Sequence, residues 1–454
     1  MSKVDLVCEG GVDAVTGANF FLKTPEGNFL IDCGLYQGFS FSEKENEAPF
    51  EFDPREIKAL IVTHSHMDHI GRIPKLVKDG FSGIIYSTNE TMELARIMFD
   101  DAVSLLERAS RERGGEPLYN REDVKRTMTL WSGLPYHNDK ELTSELDFCL
   151  LDAGHILGSA MVVVKSKNKK MIFTGDLGNS PAMLLNDTES PVGADYLLME
   201  SVYGDKNHES KGERDEKFVE VVKNTISRGG AVVIPAFSLE RTQNILYTLN
   251  NLIEDKKLPS VPVFVDSPLA IRVTEIYEKM QDTFKEEIKS EIKKGDDIFD
   301  FPKLIFTPSV HESEEIHKTS NPKIILAGSG MSAGGRVTKH EAYYLGDPRS
   351  TILLVGYQAV GTLGRRLEEG LGSVEIDGRK IKVKAKIENI RGFSSHKDSD
   401  HLVEFVSECK DTVKKVFVTM GEPKSSTFLA QRLKEELDVD AIVPTKSEIY
   451  SLEF

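Results

Sequence analysis

The chain reads as an α/β protein in which one domain is split by the insertion of another. Up to about residue 200 the pattern is mostly short apolar strands. From about 206 to 366 single apolar strands alternate with long amphipathic helices, the mark of a parallel sheet with crossover helices. Short strands then return after Gly370, and a length of 454 residues is enough for about two hydrophobic cores. The expected limits are 1–205, 206–366 and 367–454, with the first and third segments forming one domain.

Each element follows from a local run. Strands are expected at 28–32, 59–63, 83–86, 147–152, 160–164, 171–174 and 196–199, where four to six mostly apolar residues are followed by Gly, Asp, Asn or a polar turn. Apolar residues at helical spacing predict a helix over 90–113. Further strands are expected at 231–234, 262–265, 323–327 and 351–355, with amphipathic helices at 213–226 and 272–294. The last part predicts a helix over 398–408, a strand over 415–419, and a final helix and strand. Apolar faces on these helices are read as domain packing.

Composition narrows the function classes. A net charge of −16 argues against a broadly basic nucleic-acid binder but leaves a nuclease open, because a bound divalent cation and a few Arg or Lys residues can make one cleft positive. Residues 43–56 carry much local acid and read as a solvated loop. No apolar run approaches the roughly 20 residues that span a bilayer. Cys8, Cys33, Cys149 and Cys409 form no CxxC pair and read as reduced thiols, so with no signal-like N-terminus a cytoplasmic location is expected.

The chemistry is concentrated in His64-Ser65-His66-Met67-Asp68-His69, directly after the apolar run Ala59-Leu60-Ile61-Val62. His64 and His66 share a direction in extended backbone, and Asp68 and His69 turn toward a second position. Imidazole and carboxylate donors without thiolate suit zinc, with manganese as runner-up. A His-rich surface turn is the plain alternative. More candidate ligands follow strands: His155, Asp176, whose two oxygens can bridge two cations, and His396. A lone His after a strand is usually structural, but the first cluster demands partners.

In order along the chain, Asp32, the His64–His69 cluster, His155 and Asp176 resemble the motifs of the metallo-β-lactamase fold. Downstream, Glu200 in Met199-Glu200-Ser201, Pro235-Ala236-Phe237-Ser238 with Arg241, and Asp266-Ser267-Pro268 are similar to the β-CASP nuclease branch. Gly328-Ser329-Gly330-Met331 with Gly334-Gly335-Arg336, Gly361-Thr362-Leu363-Gly364 and Gly392-Phe393-Ser394-Ser395-His396 complete that series. The resemblance covers essentially the whole chain. It implies an αββα sandwich with an inserted parallel α/β β-CASP domain. It also implies up to two zinc ions: His64, His66 and His155 on one, Asp68 and His69 on the other, Asp176 bridging, and Asp32 orienting a ligand. Glu200 and His396 match the family's paired acid and histidine, which act beside the metals. RNA-cutting relatives carry a further His ligand where this chain has Met420, a poor substitute on zinc, so the second metal is expected to be weaker.

These readings imply hydrolysis of RNA phosphodiester bonds in a cleft between the two domains. A metal-bound hydroxide would be the nucleophile, Asp68 would orient it, and His396 held by Glu200 would be the general acid. Ser238, Arg241, Ser329, Gly330, Ser332, Arg336 and Arg366 are candidates for a phosphate cradle, with tight turns and salt bridges as their plain alternatives. The expected substrate is single-stranded RNA, and a homodimer is one way to add specificity. DNA cleavage is the nearest alternative, since DNA-acting members have an apolar residue at the place of Met420. A small-molecule hydrolase and a non-catalytic processing scaffold are the others.

Overall fold

The computed structural model describes residues 3–38 and 42–454. They pack as two units, one comprising residues up to 207 together with 395–454, the other 208–394. The first unit opens with strands β1 (Lys3–Gly10), β2 (Asn19–Thr24), β3 (Gly27–Ile31), β4 (Ile57–Ile61), β5 (Ile84–Thr88) and β6 (Trp131–Leu134). There follow β7 (Lys140–Glu141), β8 (Asp147–Asp152), β9 (Ala160–Lys165), β10 (Lys170–Phe173) and β11 (Tyr196–Met199). The second unit carries β12 (Ala231–Pro235), β13 (Val263–Asp266), β14 (Leu304–Phe306), β15 (Lys323–Ala327) and β16 (Thr351–Leu354). It ends with β17 (Ser373–Ile376), β18 (Arg379–Lys382) and β19 (Lys386–Asn389), after which β20 (Lys415–Val418), β21 (Ala441–Ile442) and β22 (Ile449–Glu453) return to the first unit.

Two seven-stranded sheets form the first unit, in the orders β22-β1-β2-β3-β4-β5-β6 and β21-β20-β11-β10-β9-β8-β7. The alternation of side chains along each strand explains why both faces are apolar. Phe148, Leu150, Val162, Val164, Met171 and Phe173 point into the core shared by the two sheets, where Phe29, Ile31, Ala59 and Ile61 meet them. Their chain neighbours Cys149, Val163 and Ile172 face a second cluster with the helices Ser399–Ser407 and Pro423–Leu437. Leu30, Leu60 and Val62 face a third cluster with the helices Ile73–Lys78, Asn89–Arg113 and Arg121–Thr129. The result is an αββα sandwich.

The second unit is built on a six-stranded parallel sheet, β14-β13-β15-β12-β16-β19, and the hairpin β17-β18. Here the structure departs from the expected boundary at 366/367. β19 pairs with β16, and Val374 and Ile376 of the hairpin share a core with Ile352 and Leu354. Packing therefore keeps residues through 394 in this unit. Their short strands are rich in charged residues and carry no apolar run that would assign them to this sheet. A single helix over 272–294 is also corrected. The chain forms Pro268–Lys279, a 3-10 turn Gln281–Thr283, and Glu286–Lys293, with Phe284 extended between them. Burying Phe284 against Tyr277 and Phe299 decides the break. Within the acidic stretch, Ser42–Glu47 is a short helix with no buried residue rather than a loop.

Candidate metal centre

The sheet directions bring the candidate ligands to one edge. β3 and β4 run parallel, so Asp32 and the His64 cluster follow their carboxyl ends side by side. β10, β11 and β20 also run parallel, which aligns Asp176, Glu200 and Met420. β8 and β10 are both antiparallel to β9, so β8 delivers His155 at the same edge. Ligand groups at the carboxyl ends of strands are the usual outcome of parallel topology.

Donor atoms of His64, His66, His155 and Asp176 converge within 4.8 Å of one another. His64 Nε2 lies 3.0 Å from His66 Nδ1, and His155 Nε2 lies 3.3 Å from the same atom. Asp176 Oδ2 is 3.4 Å from both His64 Nε2 and His155 Nε2. The outer nitrogens fix which lone pairs face inward. His155 Nδ1 is 3.0 Å from the Ser395 carbonyl and donates to it, and His64 Nδ1 is 3.0 Å from the Thr63 hydroxyl. Burial pushes the pKa of all three histidines down, with positive neighbours adding to it, which favours the neutral, metal-binding form. Three imidazole lone pairs and a carboxylate facing one another repel unless a cation lies among them. The group fits a divalent metal held by nitrogen and oxygen.

A second position is less complete. His69 Nε2 and Asp176 Oδ1 lie 3.3 Å apart, both buried and without a hydrogen bond. Burial works against charge on His69, but Asp176 and Asp32 outweigh it and hold its pKa well above the usual range. A cation at this position would replace that proton. Asp68 lies beside His69 in the one-turn helix Met67–Ile70, outside the converging groups, and burial raises its carboxyl pKa. Met420 is buried in the core between the sheets, at φ 49°, and a Cβ on Gly11 would stand 2.5 Å from its sulfur.

Glu200 and His396 lie side by side next to this group. His396 Nδ1 is 3.1 Å from Glu200 Oε1 and 4.0 Å from Asp176 Oδ2. Glu200 is buried, and its Oε1 also accepts from the Leu177 N–H at 2.7 Å. Burial raises its pKa, while His396 opposes the shift. The His396 segment is docked by an antiparallel bridge to Gly178 and by Lys397 N–H to the Leu177 carbonyl at 2.9 Å.

The phosphate-cradle candidates all lie in the second unit, and several are committed elsewhere. Arg336 donates to Asp266 at 2.7 Å, and to the Thr307 and Pro308 carbonyls at 2.6 and 2.8 Å. Ser332 is buried and donates to Glu341, and Arg241 is buried and donates to the Val355 carbonyl. These three brace the unit from within, their polar groups spent on its own carboxylates and carbonyls. Ser238 lies 3.3 Å from Ser267, Ser329 accepts from the Ala333 N–H at 3.1 Å, and Gly330 packs so tightly on Phe237 that a Cβ would clash. Arg366 has a buried Nε without a partner.

Sequence reasoning passed over Thr63 and Ser395, which support ligands from the position just before His64 and His396. Their only sequence signal is that adjacency.

An αββα sandwich with this donor group at its strand ends defines a metallo-hydrolase scaffold. Comparison with known families agrees. Residues 13–235 match the metallo-beta-lactamase superfamily, 242–367 the Beta-Casp domain, and 380–444 the Zn-dependent metallo-hydrolase RNA specificity domain. The chain is 36% identical to "Ribonuclease TTHA0252" of Thermus thermophilus, over 87% of this chain and 89% of that protein. It is 31% identical to an "RNase J-like protein" of Methanocaldococcus jannaschii, over 97% and 98% of the two chains. It is also 32% identical to "Transcription termination factor FttA" of Methanosarcina mazei, over 98% of this chain and 71% of that one. A solved structure of a protein of unknown function from Enterococcus faecalis shares the fold, with a TM-score of 0.59 at 12% identity over 99% of this chain and 100% of that one. The chain belongs to the β-CASP family of metallo-hydrolases.

Proposed function

We propose that this protein is a metal-dependent ribonuclease that hydrolyses phosphodiester bonds in single-stranded RNA, with zinc as its metal and manganese as the alternative. The observation that carries this reading is the convergence of His64, His66, His155 and Asp176 beside a Glu200–His396 pair. The ribonuclease names of the relatives and the match to an RNA specificity domain supply the substrate class. Bound divalent metal lowers the pKa of its water and neutralises charge building on the phosphate.

The residues supply the rest. His64, His66, His155 and Asp176 would hold the first metal. His69, Asp68 and Asp176 would hold a second, weaker one. Asp68 orients the attacking water. The Glu200 carboxylate accepts a hydrogen bond from His396 Nδ1–H and so favours the imidazolium, whose Nε2–H gives its proton to the departing oxygen. Ser238, Ser329, Gly330 and Arg366 form the phosphate-binding part of the proposal. Since His64 and His155 are buried, a flexible single strand reaches them more readily than a stable duplex. Buried Met420 in place of an imidazole favours DNA as the second reading.

The test incubates purified, metal-analysed protein with 5′-labelled single-stranded RNA and the matching DNA, beside an Asp68→Ala, His69→Ala variant. Cleavage of RNA alone, abolished in the variant, is expected, and a hairpin stem should be cut more slowly. Cleavage of DNA alone would install the second reading. Metal-loaded protein that cuts neither strand would refute both.

A further inference from the structure

Asp32 and Thr63 form a shared support behind the candidate metal centre. Asp32, fully buried, follows β3, and Thr63, 1% exposed, follows β4. The Thr63 N–H donates to Asp32 Oδ1 at 2.8 Å, and the Thr63 hydroxyl is 2.7 Å from Asp32 Oδ2. The same hydroxyl oxygen lies 3.0 Å from His64 Nδ1. His69 Nδ1 lies 2.7 Å from Asp32 Oδ2 and 3.4 Å from the Thr63 oxygen.

Proton arithmetic decides the directions. A hydroxyl has one proton, and a carboxylate only accepts. Thr63 therefore donates to Asp32 and has lone pairs left for the N–H of His64. His69 gives its Nδ1 proton directly to Asp32. Both imidazoles are thereby fixed with Nε2 toward the centre, one through Thr63 and one without it. The loop bearing Asp176 closes on the same residue, because a Cβ on Gly175, at φ 53°, would stand 2.7 Å from the Thr63 Cβ and Oγ1.

We propose that Thr63 is a positioning residue that relays the Asp32 carboxylate to His64, so that one buried charge sets the tautomer of a ligand at each metal position. Hydrogen-bond partners of this kind change metal affinity by about 10–100-fold when removed. The inference rests on the proposed metal centre, and its test separates the two.

Metal binding is measured by competition with a chromophoric chelator in wild type, Thr63→Val, Thr63→Ser, Asp32→Asn and the Thr63→Val, Asp32→Asn double variant. Thr63→Val should weaken the first zinc by about 10–100-fold and leave the second within a few-fold, while Thr63→Ser restores wild-type affinity. Asp32→Asn should weaken both positions. Adding Thr63→Val to Asp32→Asn should cost less than it does alone, as expected for groups acting in series. Equal zinc affinity in wild type and Thr63→Val would overturn the inference, as would full additivity in the double variant. Nitrogen-15 imidazole spectra of the metal-free wild type provide a test that needs no variant. His64 protonated on Nδ1 supports the relay, and His64 protonated on Nε2 refutes it. A wild type that binds no metal would instead sink the metal-centre reading itself.

Discussion

Glu200 and His396 are where a single atom change says most about mechanism. Glu200→Gln keeps the shape of the side chain but removes the charge that accepts the hydrogen bond from His396 Nδ1, 3.1 Å away. We expect kcat on RNA to fall by roughly 10²–10⁴-fold with bound zinc unchanged, because general acid catalysis is lost while the four converging donors remain. Steady-state kinetics with elemental analysis of the same samples checks this, and loss of zinc in the variant would place Glu200 among the ligands instead. Met420 supports a second expectation. Zinc titration against a chelator should show one tightly held equivalent and a second that is readily stripped, since Met420 after β20 is a thioether buried in the core between the sheets and offers no imidazole. Two equivalents of equal affinity would contradict it. At this scale the sequence was most legible. The four converging donors His64, His66, His155 and Asp176 could be named because imidazoles and carboxylates at strand ends are few. Thr63 was invisible because a threonine before a histidine is unremarkable until its oxygen is placed between Asp32 and His64.

Elements were legible wherever an apolar run had clear bounds. β8, β9, β10 and β11 fall within a residue of expectation, because each places alternate side chains in two apolar layers. β17–β19 gave no such signal, since their Lys and Glu residues mask a pairing that only the neighbouring β16 reveals. Arg336 shows the same limit. Its place after a glycine-rich turn suggested phosphate, but its partner, Asp266, lies seventy positions away in sequence. Asp266 also accepts from Thr307 at 2.8 Å and Ser313 at 2.6 Å, and lies 2.7 Å from His340 Nε2. Burial works to raise its pKa, but the hydrogen bonds from His340, Ser313, Arg336 and Thr307 outweigh it and hold the carboxyl at about 2, below its ordinary 3.8. The folded form thus favours the ionised acid. Its contribution is complete above the ordinary value and is lost as pH falls through about 2. Asp266→Asn should cost about 3–5 kcal/mol of stability near neutral pH, because it leaves Arg336 and its neighbours without their buried charge. That deficit should shrink as pH is lowered from about 4 toward 2. Urea unfolding of both proteins across that range measures it, and a deficit that grows with acid would contradict the assignment.

For the whole molecule, the net charge of −16 makes the body repel a polyanion at long range, so affinity for RNA must come from the metal centre and a few local contacts. A nuclease that grips six to ten phosphates through basic residues loses about 10³–10⁵ in affinity between 50 and 200 mM salt. Here kcat/KM for RNA should change by less than about tenfold over the same range. A steep decline would reveal a basic RNA path that the composition conceals. The order of motifs along the chain was enough to anticipate two units, with the second inserted into the first. The place where the chain returns was not, because packing sets it at 394/395 through a β-strand pairing that local composition does not encode.

The most direct test of the central claim is cleavage of labelled single-stranded RNA as a function of zinc added to metal-stripped protein, in wild type and in Asp176→Asn. Activity should be absent without metal, rise with the first equivalents and never appear in the variant, which lacks the carboxylate that faces His64 and His155. Equal cleavage by the stripped and loaded wild type, or a variant that cuts as well as wild type, would show that the chemistry does not pass through this cluster.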